Sequence, residues 1–121
     1  MASRGERKTQ KSISAPKVRG FARKEETFTP RNPKEERLVQ ALKTLETEQD
    51  FANFMRDLLT PAELEEFANR FEIAKKLLEG DPYLKIANDV GTSTTTVTRV
   101  AHWLFRGCGG YWKALEKLKN K

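Results

Sequence analysis

The chain has 121 residues, 33% of them charged, and a formal net charge of +6; this size allows one domain and leaves little room for a separate catalytic lobe. At a mean hydropathy of -0.72, no stretch approaches the roughly 18 apolar residues of a membrane span, and no apolar run with a small-residue cleavage site marks a secretory signal. A single cysteine, Cys108, and a single histidine, His102, can build neither an internal disulfide nor a closed zinc site, so a soluble, cytoplasmic protein without a metal is expected.

The charge is concentrated at the start. Residues 1–31 hold nine Lys/Arg and three Glu, the whole of the +6, whereas residues 32–121 hold fourteen of each sign. The large apolar residues of the first segment are Met1, Ile13, Val18, Phe21 and Phe28, too few to offset the entropy of ordering, so a disordered basic N-terminal tail is predicted over 1–31. A cationic arm suits an anionic polymer, either nucleic acid or an acidic membrane surface. A solubilising tail or a transit peptide fits the same composition.

Residues 32–121 read as an all-α domain of short helices. Three cap residues are followed by proline, Asn32-Pro33, Thr60-Pro61 and Asp81-Pro82, and each is an expected helix start: a side-chain oxygen accepts an orphan amide and proline fills the first helical position. Glu35 and Glu63 stand three residues after the first two caps, as in a capping box. The first helix, about 33–46, carries Leu38, Ala41, Leu42 and Leu45 on one stripe, and the second, about 48–58, carries Phe51, Phe54, Met55 and Leu58. The third runs from 61 to 79 and stops at Gly80. Its main apolar face is Leu64, Phe67, Ala68, Phe71, Ala74 and Leu78, with a second strip of Ile73 and Leu77. A helix apolar on two sides must be buried on two sides, and burial of the second strip by another copy of the chain predicts a homodimer.

The stretch Asp81-Pro82-Tyr83-Leu84-Lys85-Ile86-Ala87-Asn88-Asp89-Val90-Gly91-Thr92-Ser93 reads as a short helix and a turn. Ile86 and Val90 point inward, Ala87 is small enough for a second helix to cross closely, and Gly91 supplies a left-handed turn. Ser93 caps a helix running to about Arg106. A small residue, a glycine four later and Val97 six beyond it make the spacing of a helix-turn-helix. At about 100° per residue, Val97, Val100, Ala101 and Leu104 share one face of that helix, and Thr95, Thr98, Arg99, His102 and Arg106 share the other. Threonine hydroxyls reach base edges and phosphates, and arginine makes paired contacts to guanine or phosphate. The run Thr94-Thr95-Thr96-Val97-Thr98 is a poor helix former and allows a strand on propensity alone; the glycine, the serine and the apolar spacing favour a helix.

After Arg106, the cluster Gly107-Cys108-Gly109-Gly110 lacks the lysine and hydroxyl ending of a P-loop. It ends that helix and opens a last one, 111–118, whose Tyr111, Trp112, Leu115 and Leu118 are expected to pack onto the core. No nucleophile is paired with a base and no metal cluster is present, so the chain is not expected to be an enzyme.

Several motifs in order resemble the tryptophan repressor superfamily: Leu58-Leu59-Thr60-Pro61-Ala62-Glu63-Leu64, Asn69-Arg70-Phe71-Glu72-Ile73-Ala74, Leu77-Leu78-Glu79-Gly80 and Thr96-Val97-Thr98-Arg99. The ending Arg106-Gly107-Cys108-Gly109-Gly110-Tyr111 is similar to the YerC/YecD branch of TrpR-related proteins. The resemblance spans about residues 35–118 and implies an intertwined homodimer presenting two recognition helices to successive major grooves. It implies that Thr94, Thr95, Thr96 and Thr98 approach bases and phosphates, and that residues matching Thr60, Arg70 and Arg99 form the amino-acid pocket of tryptophan-responsive members. Val100 stands where the repressor has a glycine that leaves room for the indole, and Trp103 where it has a small polar residue. Both fill space and weigh against a tryptophan-type corepressor; no other cofactor is implied.

The expected function is therefore a DNA-binding transcriptional regulator, a repressor, contacting double-stranded DNA through Thr94, Thr95, Thr96, Thr98, Arg99, His102 and Arg106. The alternative is a helical interaction module or RNA-associated protein that binds nucleic acid mainly through its basic tail.

Overall fold

The computed structural model describes residues 27–119. These contain six helices and no strand: α1 (Pro33–Thr44), α2 (Glu48–Leu58), α3 (Pro61–Leu78), α4 (Tyr83–Val90), α5 (Thr94–Arg106) and α6 (Gly110–Lys119). They form two compact units, Thr27–Asn69 and the residues from Arg70 onward, with the division falling inside α3. The expected tail disorder lies, up to residue 26, outside the described residues.

In the first unit the helix starts follow their caps. The Asn32 side chain accepts the Glu35 amide at 3.0 Å. Glu35 does not close a box onto Asn32; its carboxylate takes the Arg31 amide at 2.9 Å and the Arg31 guanidinium at 2.6 Å. That interaction holds the Glu35 carboxyl below and the Arg31 guanidinium above its usual range. At α3 the box is complete: Thr60 Oγ1 accepts the Glu63 amide at 3.1 Å and the Thr60 amide donates to Glu63 Oε1 at 2.9 Å. Thr47 caps α2 in the same way, accepting the Asp50 amide at 3.0 Å.

The apolar stripes of this unit are not covered. Neither α1 nor α2 contains a buried residue. Leu42, Phe51 and Met55 are exposed, and Leu58 keeps half of its surface.

The second unit holds the core. Ile73, Ala74 and Leu77 of α3 cluster with Ile86 and Ala87 of α4, four residues of α5, and Trp112 and Leu115 of α6. Ile73, Ile86, Val97 and Leu104 are fully buried, each removal from water contributing about 1.5–3 kcal/mol. Both α3 strips contribute here: Ala74 of the expected main face is fully buried, with Phe71 and Leu78 packed against the cluster. The Ile73/Leu77 strip, expected to need a second copy, lies in the core because α4, α5 and α6 pack on that side. Phe67, on the face expected to be the main one, is 45% exposed. Leu118 of α6, also expected in the core, is exposed.

The α3 helix closes with a Schellman pair, the Gly80 amide to the Leu77 carbonyl at 3.1 Å and the Asp81 amide to the Lys76 carbonyl at 3.2 Å. Asp81 is thus part of the ending of α3 and does not cap α4 as the sequence predicted. The cap position belongs to Pro82, which has no side-chain bond to give.

Candidate nucleic-acid interface

The α4–α5 pair is built by its turn. Gly91 sits in the left-handed region at φ 83°, where a Cβ would meet the carbonyl oxygen. The amides of Gly91 and Thr92 both reach the Ala87 carbonyl, each at 2.9 Å. Ser93 is extended, and its hydroxyl accepts the Thr96 amide at 3.1 Å. That cap starts a helix in the threonine run despite its low propensity, and the buried face of α5 holds it there.

The division of α5 follows the sequence reading. Val97, Val100, Ala101 and Leu104 are buried, while Thr94, Thr95, Thr98, Arg99, His102 and Arg106 are exposed. The hydroxyls on the exposed side are not equivalent. Thr98 Oγ1 donates to the Thr94 carbonyl at 3.0 Å. Thr96 is half-buried, with its Oγ1 3.2 Å from Ser93 Oγ, which ties it to the cap. Farther along, the His102 ring meets the Trp103 ring edge-on, with centroids 5.1 Å apart.

The end of α5 is fixed from α6. The indole Nε1 of Trp112 donates to the Leu104 carbonyl at 2.7 Å in a buried site, satisfying one of the carbonyls that a helix end leaves open. Lys85 on α4 lies 2.8 Å from Asp89 and 3.6 Å from Asp81. Its hydrogen bond to Asp89 raises the Lys85 ammonium and lowers the Asp89 carboxyl. On α5 itself, Arg99 is exposed beside the threonines.

The residues matched to an amino-acid pocket are placed differently from one another. Thr60 belongs to the first unit, where its hydroxyl serves as the α3 cap. Arg70 and Arg99 belong to the second unit and are exposed. Arg70 acts on Tyr111: partial burial pushes the Tyr111 phenol above its usual range, and the Arg70 charge opposes that shift. The Val100 side chain is turned into the core at 3% exposure, whereas Trp103 is 59% exposed.

The sequence reading missed one feature. Phe71, Trp103 and Tyr111 line an open hollow of about 490 Å³ beside the Gly107–Gly110 connector, with the rings of Phe71 and Tyr111 stacked at 6.3 Å. These residues come from three helices, and no local pattern joins them. Among the described residues no group of His, Cys, Asp and Glu could hold a metal ion, and no helix is long and apolar enough to cross a membrane.

A helix, a glycine turn and a second helix with one face locked and the other free place this chain among small all-helical proteins built around such a pair. The sequence matches the family described as Trp repressor protein over residues 34–119, and the chain belongs to that family. It is 34% identical over 85 residues to YerC, an uncharacterized protein of Bacillus subtilis (strain 168), covering 70% of this chain and 82% of that one. The crystal structure of a TrpR-like protein from Eubacterium eligens ATCC 27750 superposes with a TM-score of 0.69 at 36% identity, covering 74% of this chain and 92% of the other. That of a candidate Trp repressor from Staphylococcus aureus gives 0.68 at 30% identity, covering 75% and 91%. These relatives support the branch of TrpR-related proteins that the ending Arg106–Tyr111 resembled.

Proposed function

We propose that this chain is a sequence-specific DNA-binding transcriptional regulator that acts as a homodimeric repressor, with α5 as the helix that enters the major groove. The observation that carries the reading is the division of α5. Its buried face anchors the helix, and its exposed face carries hydroxyls followed by Arg99, the groups that read base edges and phosphates. Contacts from the N-terminal residues of the second helix are how a helix-turn-helix docks.

The dimer is supported by the uncovered surfaces of α1 and α2 and by the exposed Phe67 of α3. Helices with no buried residue are marginal in water, and large apolar residues left exposed along them suit an association site. Regulation does not run through a tryptophan-type corepressor in this reading. Val100 fills the space a glycine would leave.

Selection of duplex DNA from a random pool tests the proposal. A palindromic site is expected, with half-sites about 10 bp or a small multiple apart. Binding to it should not change when L-tryptophan is added. A pool that yields no enriched sequence would sink the regulator reading.

A further inference from the structure

The hydroxyls on the free face of α5 differ in where their protons go. A threonine hydroxyl has one proton and two lone pairs. Thr98 gives its proton to the Thr94 carbonyl at 3.0 Å, a bond made entirely within the helix. What Thr98 turns outward is therefore an acceptor. Thr96 is half-buried and held against the Ser93 hydroxyl at 3.2 Å. The Thr94 and Thr95 hydroxyls form no hydrogen bond with any described residue, so each can donate or accept.

The major groove is asymmetric in the same terms. Adenine N6 and cytosine N4 are donors, while guanine O6 and N7 and thymine O4 are acceptors. Phosphate oxygens are acceptors as well. An acceptor-only hydroxyl is matched to an exocyclic amine and mismatched to the other two bases and to the backbone. Releasing the proton to serve them would break the bond to Thr94.

We propose that Thr98 is the specificity residue of this interface and that the base it faces carries an exocyclic amine, adenine or cytosine in preference to guanine or thymine. The proposal rests on the DNA-binding reading above and adds the chemistry of one contact to it. Thr95, with its proton uncommitted, discriminates less by donor and acceptor pattern.

The test uses the full-length protein and the duplex it selects. Binding is measured for the intact protein, Thr98→Val, which keeps the shape and loses the hydroxyl, and Thr98→Ser, which keeps the hydroxyl. Each is measured on the selected site and on sites altered one base at a time, including one in which the facing base lacks its amine. Thr98→Val and loss of the amine are each expected to weaken binding roughly tenfold. Together they should cost no more than either alone, because they remove the same contact. Thr98→Ser should keep the base preference. Additive losses, an unchanged preference in Thr98→Val, or guanine or thymine at the facing base would each overturn the assignment while leaving a DNA-binding protein in place. A pool with no enriched sequence overturns both this assignment and the regulator reading.

Discussion

Gly107 and Gly91 are both glycines at helix ends, but they are required for different reasons. A Cβ on Gly107 would stand 2.4 Å from the Trp103 carbonyl oxygen, the acceptor of the bond that closes α5. The obstacle is backbone and cannot swing aside. A Cβ on Gly91 would meet nothing within 4 Å beyond Gly91 itself and its two chain neighbours, and the cost there is only that of holding φ at 83°. Gly107→Ala is therefore expected to lose about 1–3 kcal/mol, as overpacking does, and Gly91→Ala about 1–2 kcal/mol. Urea unfolding of the two variants should give the lower midpoint for Gly107→Ala, with similar slopes. Trp112 acts at the same end of α5. Trp112→Phe keeps most of the buried ring but leaves the Leu104 carbonyl unpaired, a loss of about 1–2 kcal/mol.

At the scale of the element, α5 shows what sequence can and cannot disclose. Its boundaries and its buried face followed from Ser93, Gly91 and the period of Val97, Val100, Ala101 and Leu104, because caps and periodicity act within the chain's own neighbourhood. The conflict between the threonine run and helix propensity was resolved by the cap and the core. Ser93→Ala should accordingly cost about 1 kcal/mol and speed amide exchange in the first turn of α5. The α3 helix shows the limit. Its two apolar strips were visible, but how much of each the chain itself covers depends on where α4, α5 and α6 pack, and periodicity holds no such information. The hollow between Phe71, Trp103 and Tyr111 was illegible for the same reason, and the role of Asp81 in closing α3 was obscured by the proline that follows it. For α1, the Glu35 carboxyl is held below its ordinary value by Arg31. Its contribution is present above the unfolded value and is lost as pH falls through the lowered one. Amides 34–36 should fray on acidification before the core unfolds, which exchange measured across that range would reveal.

For the whole molecule, two distributions decide behaviour. Apolar surface is left uncovered on α1 and α2, so assembly and stability should be linked by mass action. Raising the protein concentration is expected to raise the melting temperature, and light scattering should give twice the chain mass; a monomer with a concentration-independent melting point would refute the dimer. Positive charge is gathered in residues 1–31, with the remainder of the chain neutral overall. Each phosphate neutralised adds to the salt dependence of binding. A chain lacking residues 1–26 should bind DNA with a shallower dependence on salt and an unchanged site preference. If all affinity vanished with the segment, and equally for duplex DNA and RNA, the basic tail and not α5 would be the binder.

The bareness of α1 and α2 has a genetic consequence. A copy with a ruined α5 still offers those helices intact, so it would enlist good subunits into pairs able to grip only one half-site. Alleles damaged in that single helix should then be dominant over the wild type in a cell carrying both, whereas alleles that unfold α1 or α2 should be recessive.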